Sequence, residues 1–144
     1  MSHPIRIATS EDYPKIMEIW ESAVKATHDF LYEADFKYFK EIIPRDYLPN
    51  LEVYLISENE EVKGFGAVSE NMLEMLFIHN NSRGKGFGKI LCQFLKEKTG
   101  FTKVDVNEQN PQAIKFYEKM GFKKTGRSDK DGSGKKYPII HMGL

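Results

Sequence analysis

The feature that most constrains the fold is a run in which an apolar strand, a cluster of glycines and an amphipathic helix follow one another directly. Residues 72–79, "MLEMLFIH", are nearly all apolar, which is typical of a strand covered on both faces. Residues 83–89, "RGKGFGK", then combine bare backbone with positive charge at the start of the helix. A helix N-terminus presents unpaired N–H groups, so this arrangement indicates a phosphate-binding loop.

Two common phosphate-binding fingerprints do not match this loop. The dinucleotide pattern G-x-G-x-x-G, counted from Gly84, requires glycine where Lys89 stands. The nucleotide pattern G-x-x-x-x-G-K-[ST] meets Arg83 and Ile90 at two of its fixed positions. The loop does match R-x-x-G-x-G over residues 83–88, whose glycines leave backbone N–H groups open to a pyrophosphate. The alternative is a strand-to-helix turn that is rich in glycine only for its geometry.

The rest of the chain predicts a mixed sheet with helices. Apolar residues at helical spacing predict helices over residues 10–26 and 30–43, the second ended by Pro44. Two β-rich runs surround the polar turn at residues 58–61 as a hairpin, and Asn110 is placed to cap a fourth helix. The predicted order is β-α-α-β-β-β-α-β-α-β-β, an α/β (α+β) arrangement in one domain.

Composition narrows the class of protein. A chain of 144 residues suits one domain, and its 21 basic and 21 acidic side chains lack the basic excess of a nucleic-acid binder. Cys92 is the only cysteine, which excludes an internal disulfide and a cysteine-rich zinc site. No apolar run has the length of a signal peptide core or a membrane span. We therefore expect a cytoplasmic protein that binds neither nucleic acid nor membrane.

Two segments together resemble the GNAT (GCN5-related N-acetyltransferase) superfamily. Arg83-x-x-Gly86-x-Gly88 is similar to the family's loop for the pyrophosphate of acyl-CoA. Residues 107–122, "NEQNPQAIKFYEKMGF", are similar to its next strand–helix unit, N-x-x-N-x-x-A-x-x-F-Y-x-x-x-G-F. The resemblance extends over nearly the whole chain. It implies a single GNAT domain over residues 1–144, with a mixed, mostly antiparallel sheet flanked by helices.

The resemblance also implies an activity. It implies direct transfer of the acetyl group of acetyl-CoA to a primary amine, with no metal and no covalent enzyme intermediate. The sequence leaves the acceptor open between a small molecule and a peptide. A non-catalytic acyl-CoA-binding sensor or regulator that keeps the same loop is the alternative. By analogy with such folds, we also expect a homodimer formed through the C-terminal strands.

Roles for individual residues follow from the resemblance. Tyr117 matches the tyrosine that protonates the leaving thiolate, although its spacing from apolar neighbours also fits helix packing. Glu74, the one charged residue inside the apolar strand, is the candidate base for the amine. Asn107 and Asn110 are expected to contact the pantetheine or to organise the loop between strand and helix, and for Asn110 the alternative is helix capping alone. The residues expected to bind the cofactor are Leu76, Phe77, Ile78, Arg83, Gly84, Lys85, Gly86, Phe87, Gly88, Lys89, Asn107, Asn110, Ala113 and Phe116.

The acceptor side is expected in the N-terminal part of the chain. Residues 20–32 resemble the region that walls the acceptor site in related proteins, and the candidate contacts are Trp20, His28 and Phe30. His28 and His79 are rival bases because the reference pKa of histidine is close to neutral. A lone histidine is more often a surface or structural residue, so the strand carboxylate remains the first candidate.

Overall fold

The computed structural model of the protein describes residues 4–144, which share one seven-stranded sheet. The strand order is β1-β2-β3-β4-β5-β7-β6, and every neighbouring pair is antiparallel except β4 and β5. This mixed, mostly antiparallel sheet confirms the predicted fold class. The strands are β1 Ile5–Ile7, β2 Glu52–Glu58, β3 Glu61–Ser69, β4 Met72–Ile78, β5 Lys103–Asn107, β6 Lys123–Ser128 and β7 Ile139–Gly143.

Four α-helices flank the sheet in the predicted order: α1 Tyr13–Thr27, α2 Glu33–Ile42, α3 Phe87–Thr99 and α4 Pro111–Lys119. The first two helices start later than predicted. Ser10–Asp12 forms a separate 3₁₀ turn, so α1 starts three residues later than expected, and α2 starts at Glu33 instead of residue 30. The α-helix ends at Ile42, just before Pro44 as predicted, and the chain continues as a π-helical turn, Ile43–Tyr47.

The sheet has a packed core on each face. On one face α1 packs Ile16, Ile19 and Trp20 against β2 and β3, where Leu55 and Phe65 are fully buried. On the other face α3 and α4 cover a second cluster of buried residues. Alternate residues of β2 belong to different clusters, as the two-residue period of a strand requires. A sheet that is covered on both faces holds its central strands firmly in place.

Strand β4 is the exception, because it separates from β5 almost as soon as the two meet. It pairs with β3 along its whole length, but with β5 only at Met72 and Leu73. At the same point the register to β3 shifts, since Leu73 and Met75 face consecutive residues and Glu74 is the additional one. A bulge bends its strand and re-aims a side chain. The edge of residues 76–78 that faces away from β3 is therefore open.

Among residues 4–144, no helix combines the length and the apolar character that crossing a membrane would require.

The close contact between β3 and β4 generates a prediction. A Cβ added at Gly64 would lie 2.9 Å from the backbone oxygen of Phe77 and 2.3 Å from Ile78 Cδ1. We expect Gly64→Ala to lower the free energy of unfolding by about 2 kcal/mol, because the β4 backbone must move to relieve the overlap. Gly132→Ala is the matched control, since a Cβ there meets no atom within 4 Å. Equal stability of the two variants in urea denaturation would contradict this packing.

Candidate active site

Two cavities lie next to the open part of β4. The first, called the loop cavity, has a volume of about 380 Å³ and is bounded by β4, the glycine loop, α3 and α4. The second, called the wide cavity, has a volume of about 550 Å³ and lies under α1, α2 and the segment between β6 and β7. Of the described residues, only His28 and Phe77 line both cavities. The two cavities therefore meet at these side chains.

The glycine loop has the geometry of an anion site. Gly84 and Gly86 have φ angles of 80° and 85°, a left-handed conformation that other residues rarely adopt. Gly86 immediately precedes α3, and the first hydrogen bond inside that helix runs from Ile90 N–H to Gly86 O. The first turn of a helix carries N–H groups without intrahelical acceptors and the positive end of the helix dipole. These N–H groups lie at the mouth of the loop cavity.

The charged side chains of the loop cavity are basic. Arg83 and Lys89 line it, and no aspartate or glutamate does among the described residues. Arg83 Nη2 donates to Gln112 Oε1 over 2.7 Å, which fixes the guanidinium beside the loop. Two fixed positive charges and a helix N-terminus together suit a diphosphate.

Tyr117 lies at the inner wall of the loop cavity. Its side chain packs edge-on against Phe116 and Phe122, and only 7% of the residue is exposed. Its hydroxyl forms no hydrogen bond with the described residues, which is unusual for a buried polar group and indicates a partner from outside the protein. Burial, with a smaller contribution from the neighbouring Cys92, raises the pKa of Tyr117 well above its usual value. The phenol therefore stays protonated at neutral pH and can donate a hydrogen bond to a ligand.

The charged side chains of the wide cavity are acidic. Asp46, Glu74 and Asp131 line it, and no lysine or arginine does among the described residues. Asp46 is held by Arg45 through two hydrogen bonds, and Asp131 accepts N–H groups of its own loop. The side-chain carboxylate of Glu74 has no hydrogen bond or ion pair within residues 4–144. It is the carboxylate that remains available to a ligand.

Glu74 is an exposed residue whose carboxylate is partly buried, and its pKa is raised, first by this partial burial and second by the negative charge of Asp105. Asp105 belongs to a hydrogen-bonded chain on the same sheet face. Its Oδ1 lies 2.7 Å from His141 Nδ1, and His141 Nε2 lies 2.6 Å from Ser128 Oγ. The three side chains come from three different strands, so sequence spacing gave no signal for them.

The segment between β6 and β7 closes one side of the wide cavity. Its residues Asp131 and Tyr137 line the cavity, and the Tyr137 hydroxyl donates to a carboxylate oxygen of Asp35 in α2. Lys135 Nζ lies 2.8 Å from the other oxygen of Asp35. Tyr32 N–H donates to the same tyrosine hydroxyl over 3.1 Å. These contacts fasten the segment to the beginning of α2.

Most of the predicted site residues lie together. The loop cavity is lined by Leu76, Phe77, Ile78, Arg83, Gly84, Gly86, Phe87, Gly88, Lys89, Asn110, Ala113, Phe116 and Tyr117. Asn110 also caps α4, accepting Ala113 N–H over 3.3 Å. Trp20, His28 and Glu74 line the wide cavity.

Three predicted residues lie elsewhere. Lys85 is exposed on the loop outside the cavity lining. Asn107, expected to contact the cofactor, lines the wide cavity instead. Phe30 lines neither cavity but packs its ring between His28 and Tyr137. The rival base His79 also lies outside both linings, where its ring nitrogen accepts Asn81 N–H over 3.2 Å.

Residues 4–144 contain no group of three or more His, Cys, Asp or Glu side chains that could hold a metal ion. Several lining residues that belong to neither motif were not predicted, among them Ser82, Asp46, Asp131 and Tyr137.

Comparison with known proteins agrees with this geometry. Residues 21–142 match the family described as "Acetyltransferase (GNAT) domain". The chain belongs to the GNAT acetyltransferase family. It is 38% identical over 139 residues to the peptidyl-lysine N-acetyltransferase YjaB of Salmonella typhimurium, covering 96% of this chain and 95% of that protein. Identity to YjaB of Escherichia coli is 37%, covering 96% of this chain and 94% of that protein.

Solved structures agree as well. The solution structure of apo-form YjaB from Escherichia coli superposes with a TM-score of 0.90 at 33% identity, covering 99% of this chain and 97% of that chain. An N-acetyltransferase from Thermoplasma acidophilum in complex with coenzyme A shares the fold, with a TM-score of 0.74 at 22% identity over the whole of both chains. The predicted acetyl-CoA-dependent N-acetyltransferase is thereby confirmed at the level of the GNAT family.

The position of Gly88 generates a prediction for cofactor binding. A Cβ there would point toward Phe116 and Ile78, at 3.6 Å and 3.8 Å, in the lining of the loop cavity. We expect Gly88→Leu to fold normally and to raise the Kd for acetyl-CoA at least 10-fold, because its side chain occupies the cavity. Isothermal titration calorimetry measures this, with Gly132→Leu as the control. Unchanged affinity of the Gly88 variant would place the cofactor elsewhere.

Proposed function

We propose that this GNAT enzyme acetylates the ε-amine of lysine side chains in peptides or proteins, with Tyr117 and Glu74 as its acid and base. The observation that carries the proposal is the opposite charge of the two cavities that meet at β4. The basic loop cavity suits an anionic acetyl donor, and the acidic wide cavity suits a cationic acceptor. The YjaB relatives, named peptidyl-lysine N-acetyltransferases, support the same acceptor class.

The charge division extends through the sequence. Residues 1–72 carry 14 acidic and seven basic side chains, whereas residues 73–144 carry seven acidic and 14 basic ones. The opposite net charges of the two halves cancel, so the net charge of the whole chain is zero. The N-terminal half supplies the helices of the acceptor side and the C-terminal half supplies the loop of the donor side. Each substrate would thus approach a half of opposite sign.

The donor would lie along the open edge of β4. Its pyrophosphate would accept the N–H groups of the glycine loop and the first turn of α3, beside Arg83 and Lys89. The pantetheine arm would then pair with backbone groups of residues 76–78, which β5 leaves open. A backbone N–H directed at the thioester carbonyl stabilises the negative oxygen that forms during attack.

The acceptor would enter the wide cavity. Its apolar walls, which include Trp20, Phe39 and Met75, suit the methylene stem of lysine. The ammonium would meet Glu74, the carboxylate that no described residue binds. Because an ammonium has no lone pair, it must lose a proton before it can attack, and a lysine amine has a pKa near 10.4 in water. A carboxylate with a raised pKa is a better base for this step than an ordinary one.

The leaving group is a thiolate, which Tyr117 would protonate. In water the transfer from a phenol to a thiolate is uphill by roughly 2 kcal/mol, from pKa values of about 10 and 8.5. Burial raises the pKa of Tyr117 further. The transfer is favourable only if the thiolate is desolvated to a similar degree, as it would be inside the filled loop cavity. The hydrogen bond from the phenol alone also stabilises the departing charge.

Other expectations remain predictions. We propose that the single domain functions in the cytoplasm, where Cys92, buried in α3, would stay reduced. We also propose that the homodimer expected from the resemblance uses the outer edge of β6, the last strand of the sheet. Sedimentation of the protein as a monomer at micromolar concentration would contradict the proposed dimer.

The lysine acceptor is tested with a panel of unstructured peptides that each contain one lysine and an acetylated N-terminus. We expect mass spectrometry to find one acetyl group on the lysine, with free coenzyme A released in equal amount. A panel of small amines without peptide backbone is the comparison. Turnover with small amines alone would overturn the peptide acceptor, while the family assignment would stand.

Tyr117 has its own test. We expect Tyr117→Phe to lower kcat about 100-fold with the Kd for acetyl-CoA nearly unchanged, because the ring still packs but the proton donor is lost. Tyr54→Phe is the control, since that buried hydroxyl bonds Glu52 outside both cavities. A Tyr117 variant as active as the control would exclude the phenol from the chemistry.

Glu74 is tested by charge removal and by pH. We expect Glu74→Gln to lower kcat/KM for the lysine peptide about 100-fold. The control is Glu97→Gln, because Glu97 is an exposed residue of α3. The base must be ionised, so activity of the native enzyme should fall as the pH decreases through the raised pKa of Glu74. This acid limb should lie above the pKa of about 4.3 of a free glutamate. Retained activity and an unchanged limb in Glu74→Gln would identify another base.

A further inference from the structure

The roles assigned to Glu74 and Tyr117 leave one proton of the reaction without an assigned acceptor. A lysine ammonium carries three N–H protons, and the amide product keeps one, so two protons must leave the nitrogen. The first leaves before attack, which is the step assigned to Glu74. After attack the nitrogen is bonded to the acetyl carbon and is again positively charged, so a second proton must leave at the reacting centre. This centre lies where the two cavities meet.

His28 is the titratable side chain at that junction. Of the two residues that line both cavities, Phe77 has no group that accepts a proton. Glu74 lines only the wide cavity, and Tyr117 lines only the loop cavity. The His28 ring is held beside the rings of Phe30 and Phe77, at centroid distances of 5.1 Å and 6.4 Å.

The hydrogen bonds of Thr27 determine which nitrogen of His28 is free. Thr27 Oγ lies 2.7 Å from the backbone oxygen of Ala23 and 2.7 Å from His28 Nδ1. A carbonyl oxygen only accepts, so the single hydroxyl proton of Thr27 is donated to Ala23. His28 Nδ1 must then donate its own proton to Thr27 Oγ. The neutral ring therefore carries its lone pair on Nε2, which has no hydrogen bond within residues 4–144.

The ring is also kept neutral. Burial lowers the pKa of His28, and the nearby charge of Asp29 opposes this effect in part. The other titratable groups that face the wide cavity are Asp46, Tyr47, Glu74, Asp131 and Tyr137. A neutral imidazole can take a proton at pH 7, whereas an imidazolium cannot.

We propose that His28 Nε2 accepts the second proton from the nitrogen of the tetrahedral intermediate. The proposal rests on the proposed lysine acetylation. As the carbon–sulfur bond breaks, the oxygen electron pair re-forms the carbonyl, and the thiolate takes a proton from Tyr117. The nitrogen proton moves to His28, which becomes an imidazolium. Solvent then removes one proton from Glu74 and one from His28 and returns one to Tyr117, so the products are a neutral amide, free coenzyme A and one released proton.

The first test removes the base and keeps its anchor. In His28→Asn the side-chain amide can still donate to Thr27 Oγ but cannot take a proton. We expect kcat for the lysine peptide to fall about 100-fold, with the Kd for acetyl-CoA within twofold of the native enzyme. His79→Asn is the control, because asparagine also caps a helix turn at that position. A His28→Asn enzyme with native kcat would overturn the proposal.

The second test distinguishes chemistry from packing. His28 occupies the C-cap of α1, where glycine is tolerated, so His28→Gly leaves a ring-sized space without disturbing the helix. We expect added imidazole to restore activity to His28→Gly in proportion to its free-base form, and not to restore Glu74→Gln. Absence of rescue, or rescue that follows imidazolium instead, would show that His28 acts only through packing.

Failure of the proposed function has a different signature. If the native enzyme acetylates no lysine peptide, the acceptor class is wrong. If the native enzyme acetylates lysine and His28→Asn does so at the same rate, only the role of His28 is wrong.

Discussion

The whole site depends on the early separation of β4 from β5. After Leu73 the two parallel strands share no further ladder pairs, although β4 continues to pair with β3. The free edge cannot be left dry and unpaired without cost, because buried backbone groups require partners. A bound ligand can supply those partners, so the open edge of β4 is suited to ligand binding. The bulge at Glu74 lies at the same point, so the residue that bends the strand is also a residue of the cavity wall.

The separation also explains why the two cavities differ in charge. One lies on the α3–α4 face, where the chain after residue 72 is predominantly basic, and the other under α1 and α2, where the preceding half is predominantly acidic. The two proposed substrates are of opposite charge and would meet at one point. His28 and Phe77 occupy that point, and both are largely apolar surfaces with a single polar edge on the histidine. A junction of low polarity strengthens the hydrogen bonds that form within it.

Much of this arrangement can be predicted from local sequence patterns. The order of elements and the fold class followed from periodicity, glycine and proline positions, and the loop and Tyr117 followed from two short motifs. Asn107 lines the wide cavity and accepts Gln109 N–H within the loop, and motif spacing gives its strand position but not the face that it reaches. The end of α2 before Pro44 was predicted, but the π-helical turn that follows it was not, because the local rule for proline does not include such a turn. The chain Asp105–His141–Ser128 was invisible because its members are distant in sequence and adjacent only across paired strands.

The fastening of Tyr137 and Lys135 to Asp35 has a consequence for how such an enzyme diversifies. Residues 29–51 and 129–139 wall the wide cavity, yet none of them lines the loop cavity. Related proteins with this fold can therefore change their acceptor through substitutions in both segments together. The residues of the loop cavity, proposed to bind the thioester, would stay the same. Tyr137 and Lys135 join the two segments through Asp35, so a substitution in one segment must remain compatible with the other.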